Sequence, residues 1–175
     1  MKKVATASSC LILIALSQTS LVSAIFWREC ANTSRCICSG TDFKLNKLGL
    51  TDRMEIYKKM YRNCTVVHGN LELTYFEEKE LEPHGKNALN FLEHIEEVMG
   101  YVLIAGNKIQ NLSLPNLRVI WGDHLYQPEF RYDENPTMVK GEYGLAILNN
   151  NLTNLDLSSL TGEEELPNKI YDKNE

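Results

Sequence analysis

The 175-residue chain lacks any apolar run of the roughly 20 residues that a membrane-spanning helix needs. Its apolar stretch at residues 10–16 is short, follows Lys2 and Lys3, and precedes small residues that end at Ala24. A charged start, a short apolar core and a small-residue cleavage site are typical of a secretory signal peptide. We therefore expect cleavage after Ala24, with residues 1–24 as the signal and the mature chain secreted or extracellular. A retained signal anchor is the alternative.

Basic residues are also scarce, with 18 Lys and Arg against 23 Asp and Glu and a net charge of −5. Loss of residues 1–24 removes two lysines and no acidic residue, which leaves 16 basic side chains against 23 acidic ones. An acidic chain without a basic stripe is a poor partner for nucleic acid or for an anionic membrane. Both classes of partner are excluded on this ground.

Sequence motifs for catalysis and metal binding are missing. The chain has no H-E-x-x-H, no C-x-x-C and no G-x-S-x-G, and the thiols of Cys36 and Cys38 are too close in sequence for a usual zinc pair. His94 stands among glutamates in "FLEHIEE", a pattern typical of a solvated polar face. The sequence therefore predicts a protein that is not an enzyme and that needs no metal or other cofactor.

The residues that remain fit an oxidising compartment. Beyond the signal stand four cysteines, an even number that suggests two disulfides in one of three pairings: Cys30, Cys36, Cys38 and Cys64. Four N-x-S/T sequons predict a glycoprotein: Asn32, Asn63, Asn111 and Asn151.

Two helices are predicted. The first begins after Thr51 as N-cap and carries an apolar stripe that includes Met54 and Tyr57. The second begins at Asn90, with Glu93 in capping-box position, and ends at Gly100. Residues 25–37 are expected to form an irregular lead, residues 76–87 a polar loop, and residues 161–175 a charged, frayed tail.

Short β-prone segments follow one another with turn residues between them. Residues 65–75 hold a Gly-Asn turn, and residues 101–105, 117–121 and 145–148 each end at a Gly or Asn corner. A polar excursion over residues 127–144 separates the last two. Such a series predicts a mainly β chain with short helices, built as a β-solenoid with stacked parallel strands. An ordinary leucine-rich repeat is the nearest rival, since "LPNLRVI" and "LTNLDLSSL" carry its L-x-x-L spacing.

Five separated segments occur in a familiar order: "CSGTDFKLNKLG", "YRNCTVVHGNLELTY", "FLEHIEEVMGYVLIAGN", "LPNLRVIWG" and "YGLAILNN". Together they closely resemble the first receptor L domain of the epidermal growth factor receptor family of receptor tyrosine kinases, with the insulin receptor family as more distant kin. The resemblance implies a right-handed β-helix over residues 38–160, incomplete at its C-terminal end. It also implies a disulfide between Cys38 and Cys64, which leaves Cys30 and Cys36 to pair together or to stay reactive.

The resemblance further implies an EGF-like growth-factor protein as ligand and receptor chains as further partners. By matched position, the ligand-contacting residues are Leu45, Lys47, Tyr75 and Leu148. Two departures stand out, because Gly106 replaces an apolar contact and the 127–142 excursion replaces a short connection. We expect the N-terminal part of a receptor, or a secreted short form that binds ligand without signalling. The alternative is a stand-alone secreted leucine-rich-repeat-like module without growth-factor affinity.

Overall fold

The computed structural model describes residues 28–31, 35–41, 53–85, 87–128, 141–161 and 169–171. The described chain is mainly β with a few short helices, as predicted. The strands are β1 (Arg28–Ala31), β2 (Arg35–Ser39), β3 (Val66–His68), β4 (Leu71–Thr74), β5 (Glu97–Val98), β6 (Val102–Ala105), β7 (Asn111–Ser113), β8 (Val119–Ile120), β9 (Leu145–Leu148), β10 (Asn154–Asp156) and β11 (Lys169–Tyr171). The helices are α1 (Arg53–Tyr61), α2 (Glu78–Leu81) and the 3₁₀ turns Glu82–His84 and Asn90–Leu92.

These strands form three sheets that the chain visits in turn. A five-stranded sheet has the order β1-β2-β3-β5-β8, a four-stranded sheet the order β11-β9-β6-β4, and a two-stranded sheet pairs β10 with β7. Among the described strands, every pair except β1 with β2 is parallel. From β3 to β9, the chain therefore adds one strand to the first sheet and then one to the second in each successive pass.

The corners between strands use left-handed backbone. Gly69, Gly106 and Gly122 have φ of 108°, 66° and 68°, and Asn149 has φ of 50°. Glycine adopts positive φ without a Cβ penalty, and asparagine tolerates it better than most residues. The predicted corners after residues 105, 121 and 148 are confirmed.

One apolar core lies between the sheets and helix α1. The alternation of the strands points Leu71, Leu73, Ile104 and Leu145 into it, and all four are fully buried. Helix α1 closes one side with its predicted stripe, from which Tyr57 packs edge-on against Phe76 at a ring-centroid distance of 5.2 Å. Burial of each large side chain contributes about 1.5–3 kcal/mol to stability.

The N-terminal lead is not irregular where the structure describes it. Strands β1 and β2 pair antiparallel, with Cys30 opposite Cys36, and a disulfide joins these two cysteines. A second disulfide joins Cys38 on β2 to Cys64 after helix α1. Residues 28–31 and 35–37 are therefore ordered by covalent and strand contacts that local sequence does not report.

The second predicted helix is wrong. Only the 3₁₀ turn Asn90–Leu92 forms, and Glu97–Val98 is a strand between β3 and β8. Of the predicted stripe Leu92, Ile95 and Met99, the first two are fully buried and Met99 is partly buried, while Val98 of the strand is fully buried. A spacing of three residues fits a helical stripe, but hydrogen bonding to two neighbouring strands overrides that local preference.

Three further differences concern residues 76–87, 117–121 and 161–175. The predicted loop contains helix α2, at whose start the Glu77 backbone N–H donates to the Glu80 carboxylate at 3.2 Å. The predicted 117–121 strand is reduced to Val119–Ile120. Within the predicted frayed tail, Lys169–Tyr171 pairs with β9 as an added parallel strand. The tail prediction therefore does not hold for these three residues.

Candidate ligand-binding surface

The four-stranded sheet has an outer face opposite the core. The outward-facing residues of β4, β6 and β9 lie in register and form two rows. One row is Glu72, Leu103 and Ala146, and the other is Thr74, Ala105 and Leu148. The residues between them point into the main core. Four of the six outward residues are apolar, and the two that remain partly accessible are Ala105 and Leu148.

Three tyrosines cover one end of this face. Tyr101 and Tyr143 are buried against Leu103 and Ala146, and Tyr126 is partly buried beside them. The Tyr101 hydroxyl donates to the buried Glu72 carboxylate at 2.6 Å, and the rings of Tyr101 and Tyr126 are 5.5 Å apart. This end of the face is therefore filled by the chain itself.

The other end of the face is open and carries Tyr75. The Tyr75 side chain is 62% exposed, and its backbone has φ of 57°. Its ring lies over Gly106, since a Cβ added to Gly106 would come within 2.6 Å of two ring carbons. Ala105 and Leu148 lie beside it, both half-buried. We call these four residues, Tyr75, Ala105, Gly106 and Leu148, the Tyr75 patch.

Backbone hydrogen bonds fix the members of the patch relative to one another. The Tyr75 N–H donates to the Ala105 carbonyl at 2.9 Å, and the Gly106 N–H donates to the Leu148 carbonyl at 3.0 Å. Neighbouring strands lie about 4.8 Å apart, so Tyr75 and Leu148 stand on elements roughly 10 Å from each other. That span matches a small, continuous contact surface.

Arg53 on helix α1 hydrogen-bonds the backbone at the Tyr75 corner. Its guanidinium donates to the carbonyls of Thr74 at 2.8 Å and Tyr75 at 2.7 Å. It also forms an ion pair with Glu80 at 2.9 Å and lies 4.9 Å from the centre of the Phe76 ring. A planar guanidinium with several donors suits such a junction, because it satisfies two carbonyls and a carboxylate at once. The Tyr75 backbone is thus fixed although its side chain is free to contact a partner.

The structure brings together two of the four predicted contact residues, Tyr75 and Leu148, on one face. The other two, Leu45 and Lys47, lie outside the described residues.

Sequence reasoning missed Arg53 and the three tyrosines that cover the other end of the face, because neither carries a local signal. Tyr126 and Tyr143, for example, pair through backbone hydrogen bonds of 2.8 and 2.9 Å although they are 17 positions apart in the sequence.

The remaining predictions concern glycosylation, metal binding and membrane-spanning segments. Asn63, Asn111 and Asn151 are exposed, while Asn32 lies outside the described residues. Within the described ranges, no cluster of three or more His, Cys, Asp or Glu side chains could hold a metal ion. No helix in the same ranges is long and apolar enough to span a membrane.

The receptor L domain family model matches residues 63–173, more than half of the chain. The chain belongs to the receptor L domain family. It is 38% identical to the chicken (Gallus gallus) epidermal growth factor receptor over 134 residues, which cover 76% of this chain and 16% of that receptor. It is also 42% identical to the mouse (Mus musculus) receptor tyrosine-protein kinase erbB-4 over 100 residues, which cover 57% of this chain and 7% of that protein.

A third relative, the mouse receptor tyrosine-protein kinase erbB-2, is 34% identical over 115 residues, or 65% of this chain and 8% of that protein. The chain thus spans less than a fifth of the length of each of these three receptors. The part it matches is their extracellular L domain, which is not the catalytic part of a receptor kinase. The predicted resemblance to the epidermal growth factor receptor family is confirmed.

Proposed function

We propose that this L domain binds an EGF-like growth-factor protein outside the cell through the Tyr75 patch. It would do so as the N-terminal part of a receptor tyrosine kinase or as a secreted short form that binds ligand without signalling. The observation that carries the proposal is an aromatic side chain, 62% exposed, beside half-buried aliphatic groups on a fixed sheet face. Exposed tyrosines on rigid elements are frequent energetic centres of protein interfaces.

Two features of the surface favour a protein ligand over a small molecule. The Tyr75 patch lies on a sheet face and its corners, whereas small molecules are usually enclosed in clefts. The Tyr75 backbone is anchored by Arg53, so little conformational entropy is lost there when a partner binds. Both features support contact with a second folded protein.

We further propose that the three sheets are faces of a right-handed β-helix. The chain passes from β3 to β4, from β5 to β6 and from β8 to β9, each time from the first sheet to the second. Connections between parallel strands of one sheet are right-handed in about 98% of cases. This coil explains how residues far apart in sequence can share one outer face.

The function is tested by binding of an EGF-like growth factor to the purified secreted chain. Tyr75→Ala should weaken binding about tenfold or more, as truncation of an interface hot spot does. The matched control is Trp121→Ala, which removes the other highly exposed aromatic among the described residues, 57% exposed and following β8 of the five-stranded sheet. That variant should bind as the wild type does.

Two results would refute the proposal. Equal losses in Tyr75→Ala and Trp121→Ala would place the contact elsewhere or indicate non-specific adhesion. A folded wild-type chain that binds no EGF-like ligand would favour the alternative, a stand-alone leucine-rich-repeat-like interaction module. Circular dichroism and non-reducing electrophoresis would establish that each variant is folded with its disulfides closed.

A further inference from the structure

A concave site lined by residues other than those of the Tyr75 patch lies beside helix α1. It is a groove of about 670 Å³ between the helix and residues 87–94. Its walls combine cationic side chains, three asparagine amides and one partly buried aromatic ring. The residues that matter here are Arg28, Lys58, Lys59, Arg62, Asn63, Asn87, Asn90 and Phe91.

The groove is positively charged in a chain whose net charge is −5. Four cations line it against two carboxylates, Glu55 and Glu93. Each carboxylate already has a neighbour, since Glu55 lies 3.5 Å from the Lys58 ammonium and Glu93 lies 3.5 Å from His94. Among the described residues, no carboxylate lies within 4.0 Å of the charged groups of Lys59 and Arg62.

Helix stability explains only part of this charge. Lys58 and Lys59 occupy the last turn of α1, where cations interact favourably with the helix dipole. Arg28 comes from strand β1, a different element, and its guanidinium donates to the Arg62 carbonyl at 2.8 Å. Arg28 thus caps the C-terminal end of the helix, whereas the charged groups of Lys59 and Arg62 have no carboxylate partner among the described residues and are available to an anionic ligand.

We propose that this groove binds a sulfated polysaccharide of the cell surface or extracellular matrix. Lysine and arginine supply point charges and forked donors for sulfate groups, while the asparagine amides can hydrogen-bond sugar hydroxyls. Residues at positions i and i+3 of a helical turn, such as Lys59 and Arg62, lie about 5–6 Å apart on one face. Regularly spaced charges with polar groups between them match a polyanionic sugar better than an acidic peptide, which lacks hydroxyls at each repeat.

Asn63 also affects the access of a ligand to the groove. It lines the groove, is exposed, and heads the sequon Asn63-Cys64-Thr65. A glycan attached there would begin at the rim and compete with an external sugar for space. Asn63→Gly removes the acceptor and tolerates the backbone φ of 60° at this position. This variant is the background in which the groove is best tested.

The experiment measures binding of a heparin-derived hexasaccharide to Asn63→Gly protein at physiological salt by calorimetry. Charge reversal in Lys59→Glu with Arg62→Glu should weaken binding about tenfold or more, since two attractive contacts become repulsive. The control is Lys79→Glu with Lys108→Glu, which makes the same change of net charge at two exposed lysines that pair with Glu77. The control should lose less than about threefold, as expected for screened long-range charge.

Three outcomes would overturn the proposal. The first is no measurable binding by the folded Asn63→Gly protein. The second is an equal loss in the two charge-reversal variants, which would indicate only net attraction. The third is undiminished binding of chemically desulfated hexasaccharide, or equal binding of poly-glutamate, either of which would assign the groove to another class of ligand. Because growth-factor binding is measured on a separate face, its result leaves this test unchanged.

Discussion

Replacement of Asn107 by leucine should destabilise the protein more than almost any other polar substitution. Asn107 follows the Gly106 corner and is completely buried. Its side-chain oxygen accepts from the Phe76 N–H at 2.9 Å, and its amide donates to the Leu73 carbonyl at 2.9 Å and to Asn150 Oδ1 at 2.8 Å. Leucine has a similar size and keeps none of these bonds, so the change removes hydrogen bonds without leaving a large cavity.

The magnitude follows from the groups that lose their partner. The Phe76 N–H and the Leu73 carbonyl each lose a side-chain bond in a region without solvent, and a buried unsatisfied group costs about 1–3 kcal/mol. Asn150 Oδ1 still accepts from the Asn107 backbone N–H at 3.1 Å, so its loss is small. The sum is about 2–6 kcal/mol, a large part of the 5–15 kcal/mol by which domains are usually stable.

Chemical denaturation of the disulfide-intact protein, followed by circular dichroism, measures this loss. The control is Asn154→Ala, which removes a hydrogen bond of similar geometry, 2.7 Å to Asn111 Oδ1, on the exposed surface. That change should cost about 0.5 kcal/mol or less. If Asn107→Leu and Asn154→Ala lose the same free energy, the account of Asn107 as a buried bridge between successive passes of the chain is wrong.

Two further predictions concern the Tyr75 corner and the buried Tyr57. Gly106→Ala should cost about 1–2 kcal/mol by denaturation, because Ala is strained at positive φ and its Cβ displaces the Tyr75 ring. The cost should be smaller in a Tyr75→Ala background, and an equal cost would exclude a contribution from the ring. Burial raises the pKa of the Tyr57 phenol above its ordinary 10.0, so its stabilising contribution is present below pH 10 and is lost as the pH rises further. Tyr57→Phe should therefore flatten the loss of unfolding free energy as the pH rises above about 10, and an unchanged slope would contradict this assignment.

Part of the candidate binding surface could be predicted from sequence and part could not. The resemblance pointed to Leu45, Lys47, Tyr75 and Leu148, of which the structure describes Tyr75, at the corner after β4, and Leu148, at the end of β9. The cover formed by Tyr101, Tyr126 and Tyr143 was not predicted, because it depends on contacts between three separate segments. The support of the Tyr75 backbone by Arg53 likewise joins a helix to a corner 22 residues away.

The sequence by itself determined what depends on neighbouring residues. Helix α1 follows from its apolar stripe, and the corners at Gly106, Gly122 and Asn149 follow from the residues that tolerate positive φ. The β-prone segment at residues 145–148 was also visible, and it forms β9 (Leu145–Leu148). Each of these preferences acts within a few residues, so a local pattern records it.

Only the tertiary structure decided which segments pair. Val66 pairs with Glu97, and Glu97 with Val119, across separations of 31 and 22 residues. These parallel hydrogen bonds turn a segment with helical spacing into strand β5. The separate pairing of β4 with β6 likewise brings Tyr75 beside Gly106. Their free energy comes from backbone groups that every sequence shares, so no residue type along the chain reports them.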